Sequence, residues 1–148
     1  MIIAHRTPST DPAAEALVDR ALPFYAAFEA GGDGTIERAV SDDWNVVPTA
    51  PGAPPGLPGY LPALQMFREA FADCEVTIED TFAAGDRVVV RCTMRATHRG
   101  PFLGVAATGK PIVLRTCDIH RIAPDGRIAE SWHIEDFFGF LAQTGAFG

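Results

Sequence analysis

The chain has 148 residues, 47% of them hydrophobic and 21% charged, with a formal net charge of −7. That length suits one domain over 1–148, and ordinary globular usage with no long apolar run points away from disorder and from a membrane partner. The acidic balance argues against nucleic acid, because affinity for a phosphate backbone rests on Lys and Arg. The first residues lack the charged-then-apolar order of a signal peptide, so a cytoplasmic protein is expected. Cys74, Cys92 and Cys117 are odd in number and widely spaced, and are expected to be buried thiols rather than a disulfide framework or a zinc site.

Residues 1–11 are polar and are expected to be loosely ordered up to Asp11-Pro12, an N-cap followed by proline at the first helical position. Leu17, Ala21, Phe24 and Phe28 then mark one apolar helical face, which Pro23 should kink or divide. Gly31-Gly32 ends it. A short helix is predicted over 33–40, packed through Ile36 and Val40, and a strand over Asp43 to Val47. From Pro48 to Gly59 five prolines and three glycines forbid regular structure, and a loop of that length in a small domain suits the lid or rim of a site.

A helix is predicted from Tyr60 to Phe71, with Leu61, Leu64, Phe67 and Phe71 near one face. Runs from Cys74 to Phe82 and from Arg87 to His98 read as strands joined by a turn at Ala83–Asp86. The pattern repeats from Ile112 to Ile122 and from Arg127 to Asp136, around Ala123–Gly126, and Phe137 to Gln143 closes the chain as a helix ended by Gly145. Helices first and a meander afterwards predict an α+β fold whose early helices cover one face of the sheet.

Side chains alternate across a strand, and this parity sorts them into two faces. Val88, Val90, Cys92, Met94, Ala96 and His98 share one face, opposite Arg91 and Arg95, and belong under the helices. In the next strand Leu114, Thr116, Asp118 and His120 share a face, and parity leaves open whether it is inside. In the last strand Ile128, Glu130, Trp132, Ile134 and Asp136 carry the larger apolar payload and are expected inside, opposite Ser131, His133 and Glu135. Asp136 would then end a buried face, where desolvation makes a carboxylate a better base. The same residue precedes a helix and equally reads as its N-cap. His98 reads either as a packing histidine or as a catalyst, and Asp118 and His120 as an ion pair, as exposed residues at a dimer face, or as a weak metal motif. No zinc, nucleotide or nucleophile-elbow motif is present in the sequence, so no metal and no cofactor are expected.

The segments Ala84–Arg91, Thr97–Gly104, Thr108-Gly109-Lys110 and Gly126-Arg127-Ile128, followed by Trp132-His133-Ile134-Glu135-Asp136, together resemble the SnoaL-like polyketide cyclases of the nuclear transport factor 2-like superfamily. The resemblance extends from about Leu17 to Gly145. It implies a cone-shaped barrel of a curved, mainly antiparallel sheet, a homodimer or higher homo-oligomer, and a cavity that closes polyketide rings by cofactor-independent aldol chemistry. It implies Asp136 as acid/base and His98 as a motif histidine; Asp118, whose matching position points inward in the related limonene-epoxide hydrolase, is expected as a further catalytic residue, and Trp132, His120, Ile134, Met94 and Asn45 are expected to contact a small apolar or polyketide-like ligand. Where the family commonly carries a His after a Trp-x-Asn pattern, this chain has Trp44-Asn45-Val46-Val47-Pro48. The related limonene-epoxide hydrolase is similar in topology, but Thr116 and Ile134 stand where two of its three polar catalytic residues fall. A non-catalytic binding protein and a related hydratase, isomerase or epoxide hydrolase are the alternative readings.

Overall fold

A computed structural model of the chain describes residues 2–148. Asp11 caps α1 (Pro12–Ala21) by accepting the Ala13 N–H at 3.0 Å, and Pro12 occupies the first turn, where its missing N–H costs nothing. Pro23 divides the expected helix: the chain tightens into a 3-10 segment, Leu22–Phe28, whose three-residue turn sends Phe24, Tyr25 and Ala27 into the core. α2 (Thr35–Ala39) runs straight into β2 (Val40–Val47), which begins three residues earlier than expected. After the proline-rich loop, α3 (Leu57–Ala70) also starts early, because Pro58 is tolerated in its first turn.

Four long strands follow: β3 (Phe71–Ala84), β4 (Arg87–His98), β5 (Pro111–Ile122) and β6 (Ile128–Glu135), each antiparallel to the next. The six-stranded sheet has the order β1-β3-β4-β5-β6-β2, curved and unclosed, with β2 parallel to β6. Its other edge is β1 (Ile3–Ala4), so the N-terminal segment expected to be loosely ordered pairs with β3. Arg6 ties the same segment to Glu15 of α1. α4 (Phe137–Thr144) is stopped by Gly145, whose φ of +79° suits a residue without Cβ. Among the described residues no helix is long and apolar enough to cross a membrane.

The inner face of the sheet buries Val76, Ile78, Val88, Val90, Cys92, Met94, Ile112 and Leu114 against Val18, Phe24, Ile36, Leu64 and Phe67, while Arg91 and Arg95 point outward. Parity therefore sorts β4 as expected, and the Asp118 face of β5, which parity left open, lies inside. In β6 the expected orientation is reversed. Ile122 pairs with Ile128 and Arg121 with Glu130, so Ala129 is an extra residue on β6. That one-residue irregularity lets both Ile128 and Ser131 face inward and turns every later residue over. Ile134 is accordingly 75% exposed on the outer face, and Trp132 lies there under the Arg87 guanidinium, 5.8 Å from its ring.

The outer face carries its own apolar row. Register aligns Phe82 with Val89, Val89 with Ile119, Ile119 with Trp132, and Trp132 with Val47, across five neighbouring strands. Phe82, Ile119 and Val47 are all exposed.

Candidate active site

Between the 3-10 segment, α3 and the inner faces of β4–β6 lies a cavity of about 410 Å³. Phe24, Phe28, Leu64, Phe67, Met94, Phe102 and Leu114 give it largely apolar walls, and Pro48–Pro51, Met66 and Leu103 reach its mouth. The proline-rich loop thus forms a rim, because prolines cannot extend the neighbouring strand. Among the described residues no Lys or Arg lines the cavity.

Polar side chains come chiefly from β5 and β6. Strand register sets them as three rungs: Thr116 opposite Glu135, Asp118 opposite His133, and His120 opposite Ser131. Asp118 is 5% exposed and accepts one hydrogen bond, from the Tyr25 hydroxyl to Oδ2 at 2.7 Å. Burial pushes its carboxyl up to about 7, opposed by the Tyr25 hydrogen bond and by His133, and reinforced by the nearby Glu135 charge. Such a group changes protonation near neutral pH.

Behind Asp118 the polar atoms continue as a chain. Tyr25 Oη lies 2.9 Å from His120 Nε2, His120 Nδ1 lies 2.8 Å from Ser131 Oγ, and Trp44 Nε1 donates to that same oxygen at 3.0 Å. Burial pushes the His120 imidazole down to about 3, so it is neutral. Burial drives Tyr25 in the opposite sense, well above the ordinary phenol value, assisted by the Asp118 charge.

His133 makes a second arrangement. Its Nδ1 lies 2.5 Å from Glu135 Oε1, and its Nε2 donates to the Pro48 carbonyl at 2.7 Å, anchoring the rim loop to β6. Burial opposes its charge, but the Glu135 hydrogen bond and charge and the Pro48 carbonyl prevail and raise its pKa. Tyr60 packs edge-on to both Trp44 and His133, at 5.1 and 6.3 Å. Among the described residues no three His, Cys, Asp or Glu side chains form a metal-binding group.

The family model for the SnoaL-like polyketide cyclases matches residues 19–144. The chain belongs to that family. TsrD from Streptomyces laurentii superposes with a TM-score of 0.79 at 26% identity, over 93% of this chain and 99% of that one. IdmH from Streptomyces antibioticus, provisionally assigned as a polyketide cyclase, gives 0.73 at 33% identity, over 87% of this chain and 98% of its own. A Bacillus cereus protein with the same provisional assignment gives 0.75 at 29%, over 97% and 90%. No curated protein sequence matches significantly. The scaffold shared with these structures is a cone-like α+β fold.

Within this SnoaL-like scaffold the residues singled out from sequence separate into two groups. Met94, Asp118 and His120 line the cavity. Asp136, His98, Trp132, Ile134 and Asn45 do not. Asp136 caps α4: its Oδ1 accepts the Gly139 N–H at 2.8 Å, and a Cβ at Gly139 would collide with the carboxylate. His98 is fully buried at the end of β4, enclosed by Phe71 and Phe140 at 5.8 and 5.1 Å, with Nδ1 3.0 Å from Thr108 Oγ1. Its backbone binds Gly109 and Lys110, so it fastens the loop after β4. Asn45 is exposed because Trp44 and Val46 take the inner face of β2. Trp132 and Ile134 are turned outward by the irregularity at Ala129.

Sequence reasoning passed over Tyr25, Tyr60, Ser131, His133 and Glu135. The last three were visible as the polar face of β6, and its apolar alternative outweighed them. Tyr25 carried no such signal, since only the 3-10 geometry turns it inward.

Proposed function

We propose that the protein is a cofactor-independent cyclase in which Asp118 is the acid/base. The observation that carries this reading is a buried carboxyl, bound by the Tyr25 hydroxyl on the polar strip of an otherwise apolar cavity, where burial pushes its pKa up to about 7. The largely apolar walls, from Phe24, Phe28, Phe67, Met94 and Leu114, favour an uncharged, polyketide-like substrate.

In this reading Asp118 removes a proton from a carbon flanked by carbonyls, and the resulting enolate attacks a second carbonyl of the same molecule. One carbon–carbon bond forms, the attacked carbonyl oxygen becomes an alkoxide, and the proton held by Asp118 returns to it. Proximity supplies much of the barrier reduction, since the cavity folds both ends of the reaction into one space. The Tyr60 hydroxyl lines the cavity, has no hydrogen-bond partner among the described residues, and supplies a donor for the enolate oxygen.

The test is α-carbon deuterium exchange and ring closure on β-dicarbonyl polyketide mimics. Asp118→Asn is expected to lower both by about a hundredfold or more while retaining the fold. Equal exchange by the Asn variant would overturn the assignment. Binding without exchange by the unaltered protein would instead favour a non-catalytic ligand carrier.

A further inference from the structure

We propose that Trp44, Ser131, His120 and Tyr25 form one directed hydrogen-bond chain that holds His120 as its Nε2–H tautomer and commits the Tyr25 proton to Asp118 Oδ2. Oδ1 is thereby left as the oxygen that exchanges protons with substrate. This deepens, and rests on, the reading of Asp118 as the acid/base.

Counting protons along the chain gives its direction. Indole Nε1 of Trp44 can only donate, and it donates to Ser131 Oγ at 3.0 Å. Ser131 is 2% exposed, and its one remaining contact is His120 Nδ1 at 2.8 Å, so its single proton goes there. Nδ1 is then a bare acceptor. The imidazole proton sits on Nε2 and is donated to Tyr25 Oη at 2.9 Å, which leaves the phenol proton for Asp118 Oδ2 at 2.7 Å. Every donor in the chain is satisfied.

The opposite direction fails at Ser131. A proton on Nδ1 would occupy the serine oxygen beside the indole N–H, and the serine proton would be buried without an acceptor. The Tyr25 proton would also turn toward Nε2, leaving the buried carboxylate without a donor. An imidazolium would likewise displace the serine proton, in a site packed against the Phe24 ring at 5.0 Å.

The groups that face Asp118 are Tyr25 from the 3-10 segment, Tyr60 from α3, Cys92 from β4, and His133 and Glu135 from β6, with Cys117 beside it on β5. Among the described residues Tyr25 alone hydrogen-bonds its carboxylate. Tyr25, His120, Ser131 and Trp44 are therefore positioning residues: they bear on Asp118 through a single donated proton and the choice of oxygen it leaves free.

The experiment is ¹⁵N NMR of the full chain labelled at histidine, with His120 signals assigned by their loss in His120→Asn, alongside ¹³C-carboxyl titration of Asp118. A protonated Nε2 and unprotonated Nδ1 are expected from about pH 5 to about pH 9, since no step of this range charges a ring so buried. Ser131→Ala should move the Nδ1 signal downfield as its donor is lost, and Ser131→Thr should restore it. Tyr25→Phe should raise the Asp118 midpoint by about one to two pH units, because a donor to the carboxylate is removed.

A protonated Nδ1, an imidazolium, or an Asp118 midpoint unmoved by Tyr25→Phe would overturn the chain, and the NMR readout on unaltered protein needs no variant to fold. Should the tautomer hold while Asp118→Asn keeps full exchange activity, the failure lies with Asp118 as base, and the assignment of Oδ1 falls with it.

Discussion

Tyr25 and Asp118 lie 93 residues apart in sequence and 2.7 Å apart at the cavity wall, joined by a hydrogen bond that neither residue could make within its own element. The 3-10 turn aims the phenol at β5, and β5 supplies a carboxyl that burial would otherwise make still harder to ionise. Stability and acidity at this position are thus linked.

The linkage has a definite sign. Unfolded, Asp118 ionises near its ordinary value of 3.8; folded, it ionises near 7, so between these values the native state keeps a proton that the unfolded state has lost. Its contribution is fully present below the lower value and is lost as pH rises through the upper one. His120 acts oppositely, losing stability as pH falls from 6.5 toward about 3. Asp118→Asn removes the first effect and keeps the second. Between about pH 5.5 and about pH 8 the variant should gain about 2 kcal/mol on the unaltered protein in urea unfolding. A pH-independent difference would contradict the buried carboxyl.

Asp136 is expected to behave as a helix cap. Asparagine caps almost as well as aspartate, so Asp136→Asn should leave melting temperature and exchange activity nearly unchanged, whereas Asp136→Ala should cost about 1 kcal/mol. A large loss of activity in a stable Asn variant would return Asp136 to the reaction.

Rim and strand are coupled through His133. Removing its bond to the Pro48 carbonyl by His133→Phe should speed amide hydrogen exchange at Thr49, Ala50 and Ala53 while leaving β4 amides protected. Uniform acceleration would mean general destabilisation, and no acceleration would mean the loop is held by its own turns.

The apolar row from Phe82 to Val47 is expected to be covered by a second copy of the chain, as the dimer implied by the family resemblance requires. Light scattering at micromolar concentration should give a dimer or larger, and Ile119→Glu should shift it toward monomer. Monomer alone for the unaltered chain would count against this.

The sequence made the fold legible because its punctuation is local. Asp11-Pro12, the turn at Gly85-Asp86 and the stop at Gly145 each act through a backbone rule that needs no tertiary context. Alternation made the site legible at Met94, whereas on β5 it grouped Asp118 with His120 without choosing their face. One extra residue at Ala129 reversed β6 and hid His133 and Glu135, and judging faces by apolar content misled because the outer face of this sheet is apolar as well. Tyr25 depended on a helix tightening at Pro23, which periodicity alone does not encode.

The confinement of the lining carboxyl and imidazole groups to β5 and β6 bears on stereochemistry. A flat molecule held between that wall and the rings of Phe24, Phe28 and Phe67 has one face toward Asp118 and the other toward hydrocarbon. With Asp118 as the acid/base, protons would travel through one face alone, and a new stereocentre protonated there would be formed in a single configuration, fixed by which way the substrate enters beneath the rim.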